Sequence, residues 1–496
     1  TIDNSTAENH CTIYAISESP LDSAVVWVGT DDGQLHVTTD GGAGWSLVSS
    51  AIPGLPAGTW VSSVQASPVD RETAFATFDG HRTGDMATYV YRTTDLGQSW
   101  HPITPADPAG YVHVVRQDPV NPRVLYLGTE LGLHITLDEG RHWARFEENL
   151  PKVAVRDLAV HPTEHDLIIA THGRGVYIID DLTALRALTP EVLASDVALL
   201  PSRPSPMVLS GGMSWFGSDD EFVGANPTEA ATIDYWLKKR HLFGDLKVEV
   251  YDADGELLTT LPGRKRRGLN RVGWPMRLPA PTVPPATALI PAFQGPRVPE
   301  GTYTVRLLKG SETLDGDVTL VPDPRNPHPR EDRLLQQETA LEIYRLLEEL
   351  TWLTDAVTEL RDGATARAEA LDGRQQRDLE SLAGDLDELH GTLVVAEGGG
   401  MLAGREELRE RLGNLYGDVS GYDGRPTDSQ LARLERLEAQ LEERKTSFAE
   451  ITTRLDDINP KLERRGLEPL TRLDRDAWQR RRDAAGRGSG AVVTRG

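Results

Sequence analysis

An eight-residue motif, [Ser/Thr]-x-Asp-x-Gly-x-x-Trp, constrains the fold of this chain more than any other feature of its sequence. Three copies occur in register, at residues 38–45, 93–100 and 136–143. In a turn of this kind the Asp carboxylate accepts backbone N–H bonds and the Gly permits a positive φ. The Trp is large enough to pack between neighbouring sheets. The motif therefore predicts a series of similar β-units, each closed by a turn of the same design.

The motif belongs to a longer repeat in which a proline precedes an apolar run and then a turn. The prolines are residues 20, 68, 119 and 162, and their spacing of 43 to 51 residues fits one four-stranded propeller blade. The fourth repeat keeps Asp181 but lacks the Gly and the Trp, so it is expected to end the array. Because the chain starts at Thr1 rather than Met, we predict an open arc of about four blades over residues 1–188, with other blades upstream.

The remainder of the chain changes character twice. A linker rich in Pro, Ser and Gly is predicted for residues 189–228, and a β-sandwich for residues 229–323, where Val248 and Val250 alternate with polar neighbours. Leucines at helical spacing predict a bundle or hairpin of helices over residues 324–470. Residues 471–496 are predicted to be disordered. The expected fold class is multidomain and mainly β, with an α-helical C-terminal region.

Several segments carry a family resemblance: residues 8–13, 28–33, 171–175 and 268–274. With the three motifs, they resemble the large bacterial sortilin-type, or glycosyl-hydrolase-like, Asp-box (BNR) repeat proteins. The resemblance implies an Asp-box β-propeller, followed by an immunoglobulin-like sandwich of the FlgD type and a helical tail, and it matches the C-terminal half of such proteins. A secreted or periplasmic location is the corresponding expectation.

Composition excludes several classes of function. The net charge of -24 argues against binding nucleic acid through many phosphate contacts, and the basic clusters at residues 264–267 and 480–482 are expected to be solvated faces. Cys11 is the only cysteine, so neither an intrachain disulfide nor a cysteine zinc site is expected. No apolar run is long enough to predict a membrane span. No cofactor or metal site is predicted.

The candidate site lies in equivalent loops of the repeats. Aligning the repeats on Pro119 and Pro162 places Thr129 and Glu130 over His172 and Gly173. Thr30 and Asp31 take the same place in the first repeat. Equivalent loops of a propeller gather on one face. The candidate ligand site is therefore the following set: Asp31, Asp32, Glu130, His172 and Arg174. The competing interpretation is that these residues only form hairpin turns.

Other polar residues have structural interpretations. The motif residues are assigned to turns and packing rather than catalysis: Asp40, Trp45, Asp95, Trp100, Asp138 and Trp143. Residues 79–85 form a polar insertion in the second repeat, which is expected to be a surface excursion. Nothing in the sequence forms a complete catalytic constellation.

Two functions from different classes follow. The first is a protein that binds an extracellular polymer, either a glycan or a peptide, on its propeller face. The alternative is a glycoside hydrolase, which needs one carboxyl group as acid and another as base or nucleophile. His172 would change charge near neutral pH, so binding at this site is expected to respond between about pH 6 and 7.

Overall fold

The structure is a computed structural model that describes residues 11–106, 110–208, 228–284, 294–395 and 406–488. It shows a multidomain, mainly β fold with a helical C-terminal region. In the described part of the chain, no helix is long and apolar enough to cross a membrane.

The N-terminal region consists of four consecutive antiparallel sheets in which the strands follow one another in chain order. The strands of the first two sheets are β1 (Ile13–Ser19), β2 (Asp22–Thr30), β3 (Leu35–Thr38) and β4 (Ser46–Leu47), then β5 (Trp60–Ala66), β6 (Ala74–Asp79), β7 (Tyr89–Thr93) and β8 (His101–Pro102). Those of the next two are β9 (Val112–Gln117), β10 (Leu125–Thr129), β11 (Gly132–Thr136) and β12 (Ala144–Phe146), then β13 (Val155–Val160), β14 (Leu167–Thr171) and β15 (Val176–Ile179). The fourth sheet has three strands, and its repeat is the one that lacks the motif Gly and Trp.

The three motif copies form turns with the same hydrogen bonds, and we call them the motif turns (residues 38–45, 93–100 and 136–143). In the second, Asp95 Oδ1 accepts the backbone N–H of Ser99 at 2.9 Å and the hydroxyl of Thr93 at 2.8 Å. Thr93 Oγ1 in turn accepts the N–H of Gly97 at 2.9 Å, and Gly97 has a φ of 86°. The same bonds recur around Asp40 and Asp138. The three aspartates therefore accept the hydrogen bonds that close these turns.

Consecutive sheets share apolar cores, which is the packing of a β-propeller-like fold. Trp27 of the first sheet and Phe78 of the second lie in one core, and Phe75 and Leu125 join the second sheet to the third. A further core joins the third sheet to the fourth. The third and fourth sheets approach each other closely at Gly128, where a Cβ atom would lie 2.7 Å from the carbonyl oxygen of Val155. The sheets therefore stack in sequence, each against the next.

The motif tryptophans pack toward the preceding sheet, and this changes one expectation. Trp100 is 3 % exposed and meets Trp27 edge to face at 5.9 Å. The Nε1–H of Trp143 donates to the carbonyl of Ile103 at 2.7 Å. Trp45, in contrast, is 47 % exposed, because the described residues place no sheet before the first one. Trp45 is thus not the buried packing residue that the motif predicts.

The region after the fourth sheet contains two short helices, α1 (Thr183–Arg186) and α2 (Pro190–Ala194), and two short strands, β16 (Val197–Leu199) and β17 (Ser205–Met207). The sequence predicts a linker here, but β16 and β17 pair with strands of the next region. Strands of three residues are too short to show the alternation on which sequence prediction relies. The rest of the predicted linker, residues 209–227, lies outside the described residues.

Two sheets then pack face to face around one core. Their further strands are β18 (Ala231–Leu237), β19 (Leu246–Tyr251), β20 (Leu257–Pro262), β21 (Gly268–Trp274), β22 (Gly301–Lys309) and β23 (Glu312–Pro322). One sheet has the order β16-β18-β21 and the other the order β17-β23-β22-β19-β20. Tyr235 and Trp274 from the first sheet meet Val248 and Val305 from the second in the shared core.

In the described residues after the two-sheet domain there are six helices: α3 (Arg330–Ala368), α4 (Gly373–Leu393), α5 (Leu408–Ser420), α6 (Asp428–Thr452), α7 (Leu455–Glu463) and α8 (Arg475–Gly488). They bury one apolar core built largely from leucines at helical spacing. The helix α8 lies where a disordered tail is predicted. Its Trp478 is 4 % exposed and donates to Asp355 Oδ2 at 2.7 Å, which anchors an otherwise Arg-rich segment. Residues 489–496 lie outside the described residues.

Candidate functional site

One edge of the propeller-like region carries the turns between the second and third strands of each sheet, and we call it the turn face. A backbone bond marks the equivalent residue in three sheets. The N–H of Asp31 donates to Thr12 O at 3.1 Å, that of Glu130 to Tyr111 O at 3.1 Å, and that of His172 to Ala154 O at 2.9 Å. Asp31, Glu130 and His172 therefore occupy matching positions.

The structure corrects the repeat alignment by one residue. Thr129 matches Thr171, not His172, since each threonine ends its strand. The cause is the connection between the first two strands. In the third sheet this connection runs between the paired residues Gln117 and Leu125, and in the fourth sheet between the paired residues Val160 and Leu167. The connection in the fourth sheet is therefore one residue shorter.

Asp31 and Asp32 hold their own turn together. Asp31 Oδ1 accepts the backbone N–H groups of Cys11 and Thr12, both at 2.8 Å. Asp32 accepts the hydroxyl of Thr30. These contacts resemble ordinary turn capping.

His172 and Arg174 lie in an exposed turn closed by Thr171, whose N–H and hydroxyl both donate to Gly175 O at 3.1 and 2.6 Å. Within the described residues, neither side chain has a hydrogen bond or ion pair, and neither is joined to Glu130. The five candidate residues share a face, but their side chains do not form one cluster.

Glu130 alone is part of a polar cluster. Its Oε2 lies 3.0 Å from His113 Nε2 and 3.8 Å from Arg156 Nη2, and the Tyr111 side chain interacts electrostatically with this carboxylate. Partial burial raises the pKa of Glu130, but the interactions with His113 and Tyr111 and the charge of Arg156 outweigh it, so the net pKa is lowered. Glu130 is thus held as a carboxylate.

His113 is buried beneath this carboxylate. Arg156 Nη1 lies 3.3 Å from His113 Nδ1 and can only donate, so Nδ1 accepts and Nε2–H donates to Glu130. Burial lowers the pKa of His113 and favours this neutral form. His113 therefore positions Glu130 without adding charge.

Aromatic rings continue the cluster toward the second sheet. The ring of His81 stacks on Tyr111 with centroids 4.4 Å apart, and Tyr111 meets His113 edge to face at 5.2 Å. The guanidinium of Arg82 lies 4.0 Å over the ring of Trp60. We call these residues the aromatic patch: Trp60, His81, Arg82, Tyr111, His113, Glu130 and Arg156.

The insertion at residues 79–85 supplies two members of the patch. Asp79 Oδ1 accepts the backbone N–H of His81 at 2.9 Å and lies 2.7 Å from its ring Nδ1. The chain then turns back through Gly84, whose φ is 85°, and the Asp85 N–H donates to Gly80 O. The segment is more than a surface excursion, because it places His81 on Tyr111 and Arg82 over Trp60. Tyr111 lies just before the first strand of the third sheet, and Trp60 begins the first strand of the second sheet.

Four residues of the patch were not predicted from the sequence: Trp60, Tyr111, His113 and Arg156. Each lies within one residue of the start of the first strand of its sheet, which is β5, β9 or β13. A usable signal was the alternation of Tyr111 and His113 with valines, which puts both rings on one side of β9. In the described residues, no group of three His, Cys, Asp or Glu side chains could hold a metal ion.

Comparison with known proteins adds little to these contacts. No protein-family model and no curated protein sequence matches the chain. Solved structures with partial similarity include the GH74 enzyme of Niastella koreensis, at 15 % identity and a TM-score of 0.28, covering 54 % of this chain and 31 % of that one. They also include YCF48 from Cyanidioschyzon merolae, at 15 % identity and a TM-score of 0.26, covering 35 % of this chain and 54 % of that one. YCF48 bound to D1 peptide has the same identity and TM-score and covers 62 % and 82 %.

The chain thus spans about a third of the length of the first neighbour and about half of the second. At such overlaps the neighbours carry no argument about a site. The class that the sheets themselves define is a β-propeller-like protein with a two-sheet β domain and a helical region.

Proposed function

We propose that this chain binds a polar extracellular polymer, in the first place a glycan, through the aromatic patch on its turn face. The observation that carries the proposal is the juxtaposition of Trp60, Tyr111 and His81 with Arg82 and with the buttressed carboxylate of Glu130. Aromatic rings offer apolar faces to the C–H side of a sugar, while carboxylate and guanidinium groups bond its hydroxyls. His172 and Arg174 are proposed to extend the same face in the fourth sheet.

The alternative is glycoside hydrolysis with carboxyls from the candidate set, Asp31, Asp32 and Glu130. Asp79, which lies 2.7 Å from the ring of His81, is a further carboxyl in the same region. Hydrolysis needs one carboxyl that stays protonated near neutral pH, with a raised pKa. The pKa of Glu130 is lowered. Glu130 therefore fits the base or nucleophile rather than the general acid, and binding remains the first proposal.

The experiment measures binding of a glycan panel and a peptide panel to the full chain by calorimetry, together with release of reducing sugar. Glu130→Gln and Arg82→Gln are expected to weaken glycan binding by about tenfold or more, because charged hydrogen bonds contribute about 1.5–3 kcal/mol. The matched control is Glu139→Gln, which removes a similarly exposed carboxylate that pairs with Arg92 at 2.6 Å. Peptide binding alone, or equal loss in the control, would refute the glycan site. Sugar release that Glu130→Gln abolishes would favour the hydrolase.

We also propose how the propeller-like region and the two-sheet domain are classified and completed. Apolar side chains are exposed on both end sheets: Tyr14 and Ile16 are 57 % and 65 % exposed, and Val176 and Ile178 are 64 % and 56 % exposed. We propose that the sheets are an Asp-box propeller arc completed by further blades of the same protein. The two-sheet domain is proposed to be immunoglobulin-like, of the FlgD type, and the location secreted or periplasmic.

A further inference from the structure

Two loops meet at one end of the two-sheet domain, far along the chain from the aromatic patch. Residues 238–245 connect β18 to β19, and residues 263–267 connect β20 to β21. The N–H of His241 donates to Lys265 O at 3.1 Å, and Lys265 Nζ donates to Gly244 O at 2.7 Å. The two loops, which we call the basic loop pair, therefore form one surface.

This surface is positive although the chain has a net charge of -24. Its seven cations are Lys238, Lys239, Arg240, Arg264, Lys265, Arg266 and Arg267. In the described residues, the side chains of four of them have no hydrogen bond or ion pair: Lys239, Arg240, Arg264 and Arg267. Three acids border this surface: Asp245 lies 3.4 Å from Lys247, Glu148 lies 3.9 Å from Arg266, and the backbone carbonyl of Asp196 accepts the N–H of Lys238 at 3.1 Å. Most of the positive charge is therefore not neutralised by neighbours.

The tip of the first loop is apolar and points away from the fold. Phe243 is 85 % exposed and Leu242 is 66 % exposed. Gly244 follows with a φ of 82°, which turns the chain back toward β19 directly after the tip. Exposing two large apolar side chains side by side has an unfavourable hydration free energy, so their position indicates a contact with an apolar phase.

An apolar tip surrounded by cations matches the chemistry of an anionic bilayer surface. Aromatic and aliphatic side chains enter the boundary between headgroups and acyl chains, and Lys and Arg bind lipid phosphates. A nucleic acid would use the cations but not the tip. The chain as a whole is acidic and is repelled by an anionic surface, so a positive end with an apolar tip favours one orientation of approach.

We propose that the basic loop pair docks the protein on an anionic lipid bilayer, with Leu242 and Phe243 entering the interfacial layer and the cations binding lipid phosphates. The docking is peripheral and reversible. It is independent of the aromatic patch and adds a membrane surface to the partners of this chain.

The test is co-sedimentation of the full chain with phosphatidylcholine vesicles that either contain or lack phosphatidylglycerol. Binding is expected only with phosphatidylglycerol and is expected to weaken as salt rises. The double variant Leu242→Ser, Phe243→Ser is expected to lower the partition coefficient at least about a hundredfold, because buried apolar side chains contribute about 1.5–3 kcal/mol each. Lys239→Ala with Arg240→Ala is expected to lower it about thirtyfold, at about 1 kcal/mol per cation.

Matched controls separate this surface from general charge and hydrophobicity. Val120→Ser removes an apolar side chain that is 59 % exposed elsewhere, and Arg464→Ala with Arg465→Ala removes two cations from the helical region. Neither is expected to change binding, and circular dichroism checks that all variants are folded. Equal binding to both vesicle types, full binding by the tip variant, or equal losses in the controls would each overturn the proposal. Binding to duplex DNA or polyglutamate without vesicle binding would overturn it in favour of a soluble polyanion.

Discussion

The motif tryptophans offer a direct test of how the sheets stack. Trp100 lies between the first two sheets and is 3 % exposed, whereas Trp45 is 47 % exposed. Removing a fully buried Trp side chain costs about 3–5 kcal/mol, since it loses transfer energy and leaves a cavity. A half-exposed Trp loses little packing, and about 1 kcal/mol is the ordinary size of such a change.

These free energies convert into separable melting shifts. For a domain of about 150–250 residues, 1 kcal/mol shifts the Tm by about 2–4 °C. Trp100→Ala is therefore expected to lower the Tm of the propeller-like region by about 6–20 °C, and Trp45→Ala by about 2–4 °C. Trp143→Ala is expected to fall between them, because its ring is half-buried and its N–H is bonded.

Scanning calorimetry measures the shifts, and hydrogen exchange on β2 and β6 assigns the transition to the correct sheets. Trp45→Ala and Trp100→Ala are the same chemical change, but only Trp100 packs against a preceding sheet, so the difference between their Tm shifts measures that packing. Equal losses for Trp45→Ala and Trp100→Ala would refute the reasoning, since the tryptophans would then stabilise only their own turns.

Three further predictions concern packing and protonation. Arg271→Ala is expected to lower the free energy of unfolding by about 3–5 kcal/mol, because it leaves the buried Asp234 carboxylate without its partner at 2.9 Å. Burial raises the pKa of Asp234, so the carboxyl group becomes neutral in acid and the loss of stability is smaller there. Gly128→Ala is expected to cost about 1–3 kcal/mol, since its Cβ would meet the backbone of the next sheet at 2.7 Å. Because burial lowers the pKa of His113 below its ordinary 6.5, the stability it contributes is present above about pH 6.5 and is lost as the pH falls.

Control variants test the physical reason behind each of these three effects. Arg306→Ala breaks an exposed pair with Asp315 and is expected to cost under about 1 kcal/mol. Gly384→Ala lies in α4 with no atom near its Cβ and is expected to be neutral or slightly stabilising. His113→Gln should remove the acid dependence that sets in below about pH 6.5, and an unchanged profile would contradict the assignment.

Local chemistry explains which parts of the fold could be predicted from the sequence. The motif turns were predictable because each carries all of its bonding groups within a few residues. The start of α6 was predictable for the same reason, since Thr427 and Gln430 form a capping box. In contrast, β16 and β17 depend on pairing with strands far along the chain. The helix α8 depends on a buried Trp478 that no periodic pattern announces.

The aromatic patch was missed because it combines positions that are not equivalent in the repeats. Repeat alignment compares the loops that hold Glu130 and His172, which lie one sheet apart. The side-chain contacts instead join Glu130 to His113 on β9 of the same sheet and to Arg156 on β13 of the next. A double-mutant cycle separates the two views. Glu130→Gln with His113→Gln is expected to show a coupling energy of about 0.5–3 kcal/mol in stability, whereas Glu130→Gln with His172→Gln is expected to add within about 0.5 kcal/mol. Coupling of Glu130 to His172 in the free protein would show that the repeat alignment, rather than packing between non-equivalent strands, defines the site.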